Sequence, residues 1–246
     1  MMLMKPPKTS LLLLALLGSL AWNDALIAAD PGAALSPEEA LKRLKEGQAR
    51  YQTGQPVHPG QSLERRKTLA GGQKPIAAFL ACADSRVPVE LVFDQGLGDL
   101  FVVRVAGNSA GVDELGSIEY AVEHLGVSLL VVLGHSKCGA VSAVVEGGKL
   151  PGNIGPALQN IVPAARQAKA ENPAATGEAL IAETVKTNVW EAIRTALQRS
   201  PIIREHVKEG HLQVVGAVYD LASGGVLWLG KHPKEQQLLE TVAPTP

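Results

Sequence analysis

Four stretches of the chain are apolar almost without interruption: residues 75–82, 100–105, 127–133 and 212–219. Turn-forming residues bound each of them. Runs of this kind predict strands buried on both faces, as in a parallel sheet. Between them, apolar residues recur at helical spacing over 115–124, 138–146 and 177–198. Asn172-Pro173 separates two helical stretches. The alternation predicts an α/β fold with a mainly parallel β-sheet, about four parallel strands flanked by helices. Ser223-Gly224-Gly225 reads as a hairpin turn, so residues 226–229 are expected to return as an antiparallel edge strand.

Upstream of the first apolar run the pattern is helical. Ser36-Pro37-Glu38-Glu39 carries a helix start: Ser36 as N-cap, Pro37 in the first turn and Glu39 closing a capping box. That helix is expected to reach about Tyr51. Residues 54–60 form a Pro/Gly loop, and 62–69 a short basic helix ended by Gly71-Gly72. The result is an N-terminal helical arm over about 36–70 ahead of an α/β core over about 74–230. No internal repeat is present.

The first 29 residues read differently. Lys5 and Lys8 form a short basic region, residues 11–21 are an apolar run, and Ile27-Ala28-Ala29 offers small residues for cleavage. This is the pattern of a secretory signal peptide, cleaved after Ala29. A membrane anchor is the alternative, but the run is too short to span comfortably, and Asn23 and Asp24 close it. The expected mature protein, residues 30–246, is periplasmic or secreted, with no stable membrane anchor.

Composition narrows the function classes. Hydrophobic residues make up 46% and charged residues 19%, which excludes general disorder. A net charge of −1 provides no field for holding nucleic acid. Aromatics at 4% leave few stacking platforms. Two cysteines cannot staple a scaffold. In an oxidising compartment they should either bridge or be held by something else, such as a metal.

Open parallel sheets carry their chemistry at the carboxyl ends of strands. Three unusual clusters fall there: Cys82-Ala83-Asp84-Ser85-Arg86, Ala106-Gly107-Asn108 and Gly134-His135-Ser136-Lys137-Cys138-Gly139. Cys82, His135 and Cys138 would supply two thiolates and one imidazole, a donor set suited to Zn²⁺. Three protein ligands leave a position for water, and Asp84 is near enough in sequence to be a fourth ligand or an outer group. A Cys82–Cys138 disulfide is the competing reading. Asp84 and Arg86 alternate, so an extended chain would put both side chains on one side as an ion pair. The other histidines, His58, His124, His206, His211 and His232, show no partner pattern.

Cys-x-Asp-Ser-Arg followed by His-x-x-Cys-Gly resembles the β-class carbonic anhydrases, over Ser36 to about Leu229. The resemblance implies one Zn²⁺ per subunit on Cys82, His135 and Cys138, with Asp84 and Arg86 as a catalytic dyad. It implies reversible hydration of carbon dioxide to bicarbonate and a proton, by attack of a zinc-bound hydroxide. By spacing, Gln73, Phe101 and Tyr120 match the substrate pocket of the plant-like subgroup, with Ala106 at its small apolar wall and Gly139 beside Cys138. In the family the glutamine and tyrosine come from the neighbouring subunit, so a homodimer or tetramer is implied. Family members can close, with the aspartate moving onto the metal. The Gln73 and Tyr120 matches imply the open form, with three protein ligands and water. Carbonyl sulfide and carbon disulfide hydrolases resemble the same site and are a rival reading. A zinc-stabilised scaffold without turnover is a second rival, against which the intact dyad argues.

Overall fold

The computed structural model describes residues 35–240. The expected signal peptide, residues 1–29, lies outside them. A five-stranded sheet runs in the order β2-β1-β3-β4-β5. Its strands are β1 (Ala77–Cys82), β2 (Leu100–Val105), β3 (Leu129–His135), β4 (Gln213–Tyr219) and β5 (Val226–Gly230). The first four are mutually parallel, and β5 returns antiparallel to β4. The alternation of buried runs thus yields the mainly parallel α/β sheet that the sequence predicts.

Two apolar layers sandwich the sheet. On one face Ala78, Leu80, Leu130, Val132 and Val214 meet three helices. These are α4 (Val112–Glu123), α8 (Gly177–Arg199) and α9 (Pro201–Lys208). Helix α10 (Glu235–Glu240) adds Leu238 to this layer. On the other face Phe79, Leu129, Val131, Leu133 and Val215 pack against α1 (Pro37–Gln52) and the short α3 (Val89–Val92). Shorter helices complete the chain: α2 (Leu63–Leu69), α5 (Gly139–Glu146), α6 (Ile154–Leu158) and α7 (Val162–Glu171).

The connections decide where a site can form. The chain moves from β1 to β2 on one side, then crosses back so that β3 pairs with the other side of β1. The strand order reverses between β1 and β3, and a crevice opens at their carboxyl ends. Cys82 is the last residue of β1 and His135 the last of β3.

Several element ends differ from the sequence reading, each for a local reason. Strand β1 starts at Ala77 rather than at residue 75, because Pro75 has no N–H and Ile76 donates to Asp99 O at 2.8 Å. Strand β3 starts at Leu129, since the Val127 N–H closes the end of α4 on Ala121 O at 3.1 Å. It then continues through Gly134, which an apolar-run criterion takes as a stop. A Cβ at Gly134 would stand 2.8 Å from Val189 Cγ2, so glycine here lets α8 approach the sheet. His135 therefore sits on the strand and not in the turn. Helix α4 begins three residues before the predicted start, where the Glu114 carboxylate accepts the Gly111 N–H at 2.9 Å. Ser36 and Glu39 form the predicted capping box, at 3.2 and 3.0 Å.

The arm is fastened by buried carboxylates. Asp94 accepts Arg50 Nε at 2.6 Å and the N–H groups of Val57 and His58 at 3.0 and 2.9 Å. Asp99 accepts Arg65 Nη2 at 3.0 Å and the Gly96 N–H at 2.9 Å. Burial alone would raise the Asp94 carboxyl, but the Val57 N–H, Arg50 and the His58 N–H outweigh it and hold it below the ordinary carboxylate range. A depressed carboxyl stabilises above its unfolded value of about 3.9 and loses that contribution as pH falls through the folded one. Asp94→Ala is expected to cost about 2–4 kcal/mol near neutral pH, measured by urea unfolding. The difference from wild type should shrink as the pH is taken below about 4.

Candidate metal centre

The first half of the site is a turn. The ladder between β1 and β2 ends where Ala83 N–H donates to Val105 O at 3.0 Å. The chain then folds back, with Val87 N–H donating to Asp84 O at 3.0 Å. An extended segment was expected to bring Asp84 and Arg86 to one side, and the turn replaces it. The Asp84 carboxylate receives the backbone N–H of Arg86 at 2.9 Å, and receives its guanidinium through Nε at 2.9 Å and Nη2 at 2.7 Å. The Arg86 guanidinium beside Asp84 holds this carboxyl far below the usual range, overriding its partial burial, so it is ionised throughout the neutral region.

The second half hangs from β3. His135 is wholly buried, and its Nδ1 lies 3.0 Å from Ser136 O. A carbonyl can only accept, so Nδ1 carries the proton and Nε2 is the bare nitrogen. Nε2 has no hydrogen-bond partner, although Asp84 Oδ2 stands 3.8 Å away. Lys137 takes a left-handed φ of 53°, which turns the chain sharply between His135 and Cys138. Cys138 is the N-cap of α5, and Arg86 Nη2 donates to Lys137 O at 3.4 Å, joining the two halves.

Cys82 Sγ, His135 Nε2 or Nδ1 and Cys138 Sγ form a buried group whose ligand atoms all lie within 4.8 Å of one another. The sulfurs are 4.0 Å apart, about twice a disulfide bond length of about 2.05 Å. Two thiolates on one tetrahedral zinc would be about 3.8 Å apart, given Zn–S distances of about 2.3 Å. Cys82 Sγ also receives N–H groups from Gly107 at 3.3 Å and Asp84 at 3.4 Å. The neighbouring Cys138 thiol, together with His135 and these amides, pulls the Cys82 thiol well below its ordinary range despite burial. The Cys82 thiolate and burial then push Cys138 up. A cation between the sulfurs would favour the second ionisation. The unpartnered imidazole nitrogen, the sulfur separation and the mixed N/S donors all fit a divalent ion such as zinc. Asp84 is not one of the three clustered ligands, and Arg86 occupies its carboxylate.

Comparison with known proteins agrees with this geometry. Residues 77–226 match the family model described as carbonic anhydrase. The chain belongs to the β class of that family. A Mycobacterium tuberculosis protein named carbonic anhydrase 2 is 43% identical over 193 residues, covering 77% of this chain and 91% of the relative. A carbonic anhydrase of Mycolicibacterium smegmatis is 41% identical over 195 residues, 78% of this chain and 92% of the relative. Among solved structures, a tetrameric β-carbonic anhydrase of Sordaria macrospora superposes with a TM-score of 0.63 at 30% identity, covering 78% of this chain and 96% of that one.

The family's expected pocket residues divide into two groups. Ala106 and Gly139 lie at the metal centre: Ala106 opens the short 3-10 turn whose Gly107 N–H reaches Cys82, and Gly139 begins α5. Gln73 precedes β1, and Phe101 pairs with Ala78, four positions before the Cys82–Val105 pair. At about 3.3 Å per residue, Phe101 is about 13 Å along the strand from its own Cys82. Tyr120 sits with it, the ring centroids 6.3 Å apart. Phe101 and Tyr120 therefore stand apart from the centre of their own chain, and Gln73 lies before the start of β1. None of the five remaining histidines belongs to the three-residue group; His206, for instance, meets Glu123 at 3.1 Å.

Two contributors, Asn188 and Arg104, lie outside the motifs, and a third, Ser136, lies inside one with no role assigned to it. Asn188, buried on α8, donates to Gly107 O at 2.7 Å and so holds the peptide that reaches Cys82. Nothing in a helix sequence marks that residue. Ser136 Oγ accepts the Leu221 N–H at 3.0 Å and ties the site to the β4–β5 hairpin. Arg104 donates to two backbone carbonyls of the Cys82–Asp84 segment. Its signal was visible, as a charge inside an otherwise apolar strand. Gly107 itself has φ of 75°, and a Cβ there would stand 2.4 Å from Ile161 Cδ1. Gly107→Ala is expected to cost about 2–4 kcal/mol from backbone strain and overpacking, measured by chemical denaturation. In the metal-free protein it should also alter the reactivity of the Cys82 thiol toward a small alkylating reagent.

Proposed function

We propose that this chain is a zinc enzyme that interconverts carbon dioxide and bicarbonate. The observation that carries the reading is the bare, buried Nε2 of His135 facing two ionisable sulfurs, next to a carboxylate locked by Arg86. Zinc bound there supplies the Lewis acidity that makes water a nucleophile near neutral pH. Cys82, His135 and Cys138 are the ligands. Asp84 accepts a hydrogen from the attacking water and so fixes its orientation. Arg86 keeps Asp84 ionised and stationary, and its bond to Lys137 O keeps the dyad aligned with the second ligand loop.

The pocket is completed between two copies. Ala106 and Gly139 come from one subunit, and Gln73, Phe101 and Tyr120 from the other. Two features support this. Phe101 and Tyr120 stand apart from their own centre, and β2 is an edge strand with a half-buried apolar run over Leu100–Val103. An open apolar edge of this kind invites pairing with a second chain. A homodimer is the working unit, and a tetramer, as described for the Sordaria macrospora protein, is a pair of them. The leader-like first 29 residues support a periplasmic or secreted location. Among the described residues, no helix is long and apolar enough to cross a membrane.

The purified protein is expected to carry one zinc per chain and to hydrate CO₂ in a stopped-flow assay. Sulfide release from carbonyl sulfide or carbon disulfide without CO₂ hydration would assign the rival hydrolase activity. Zinc without either rate would leave a scaffold. Asp84→Asn should keep its zinc and lose about 100-fold or more in rate, the usual scale for a lost general acid–base group. Cys138→Ser and His135→Ala should lose the metal, as read by elemental analysis.

A further inference from the structure

We propose that Arg104 is a positioning residue that sets the Asp84–Arg86 dyad against the first metal ligand. The inference rests on the function proposed above and adds a part to it. Arg104 lies in β2 opposite Ala81, on the outer edge of the sheet. Its Nε donates to Cys82 O at 2.8 Å and its Nη2 to Asp84 O at 2.5 Å. One planar, permanently charged group therefore spans the carbonyls on either side of Ala83, where β1 leaves the ladder. Arginine suits this task because its donors form a rigid fork, whereas lysine offers a single mobile ammonium.

The two carbonyls differ in what they steer. Cys82 O belongs to the residue that carries the first sulfur. Asp84 O also accepts the Val87 N–H, so Arg104 braces the turn that presents the Asp84 carboxylate to Arg86. Arg104 forms no ion pair among the described residues, so its charge is spent on these two charge-assisted bonds. The next residues of β2 leave the ladder as well. One further step of pairing would send an N–H of that segment to a β1 carbonyl, but the Gly107 N–H goes to Cys82 Sγ. The last backbone bond between the two strand ends is Ala83 N–H to Val105 O at 3.0 Å, and the Arg104 side chain adds a bridge on either side of it. It touches neither the dyad carboxylate nor the ligand atoms, so it acts through the placement of others.

The test compares Arg104→Ala and Arg104→Lys with wild type, alone and combined with Asp84→Asn, on the zinc-loaded full chain. Arg104→Ala is expected to retain one zinc per chain and to lose about tenfold or more in kcat/KM for CO₂ hydration. Arg104→Lys should recover only part of it. If Arg104 works through Asp84, its removal should cost almost nothing further in the Asp84→Asn background, whereas a general structural defect would cost the same in both. Amide exchange at Val87, which needs no turnover, should accelerate in Arg104→Ala. Full activity in Arg104→Ala, an undiminished loss in the double variant, or unchanged Val87 exchange would overturn the assignment. Where Arg104→Ala does not fold, Arg104→Lys carries the same comparison. Absence of CO₂ hydration in the wild type would instead strike the proposed function and leave the exchange measurement to judge the brace.

Discussion

Two buried thiolates 4.0 Å apart would repel each other, a cation between them removes that cost, and the elements of the site converge on this pair. Strands β1 and β3 bring Cys82 and His135 to adjacent carboxyl ends, and a left-handed Lys137 swings Cys138 back toward them. The imidazole is held by Ser136 O in the tautomer that leaves Nε2 free. Two backbone amides point at Cys82 Sγ and favour its thiolate. Each of these groups would be poorly satisfied in a site designed to stay neutral, since buried polar atoms ordinarily find partners.

A second layer of polar contacts keeps that first set in place. Gly107 is held by Asn188 from a helix distant in sequence, and Ser136 by the chain after β4. Glycines at 134 and 216, where a Cβ would meet Val189 at 2.8 and 2.7 Å, allow α8 to lie close enough for Asn188 to reach. Close packing of a helix against two strands is thus a condition for a hydrogen bond at the metal centre. Stability and chemistry are linked there through backbone geometry, not through any residue that touches a reactant.

How much of this was legible from the residues depends on range. The buried parallel strands, the antiparallel return after Gly225, the Ser36 capping box and the three side chains that could hold a metal follow from patterns a few residues long. The turn at Asp84 did not, because alternation alone cannot tell a strand from an Asx-type turn; the Arg86 N–H on Asp84 Oδ1 and the Val87 N–H reaching back to Asp84 O distinguish them. The starts of β3 and α4 were misplaced because a helix-closing bond from Val127 and a side-chain cap from Glu114 outweighed local apolarity. Asn188 was invisible, since its role depends on a contact made across most of the fold. Phe101 and Tyr120 are expected at the pocket by likeness alone, and their distance from the centre of their own chain is apparent only in three dimensions.

The reversal of strand order between β1 and β3 has a consequence for how such proteins vary. Everything from α3 through α4, including the whole of β2, lies between the two ligand-bearing motifs. What must be kept is the registration of two strand ends, which is blind to the length of surface chain joining them. An exposed turn such as the one after α4, at His124 and Gly126, can therefore lengthen or shorten without moving a sulfur or a nitrogen. A search pattern that fixes the gap between the cysteine–aspartate and histidine–cysteine motifs would pass over proteins assembled in this same way.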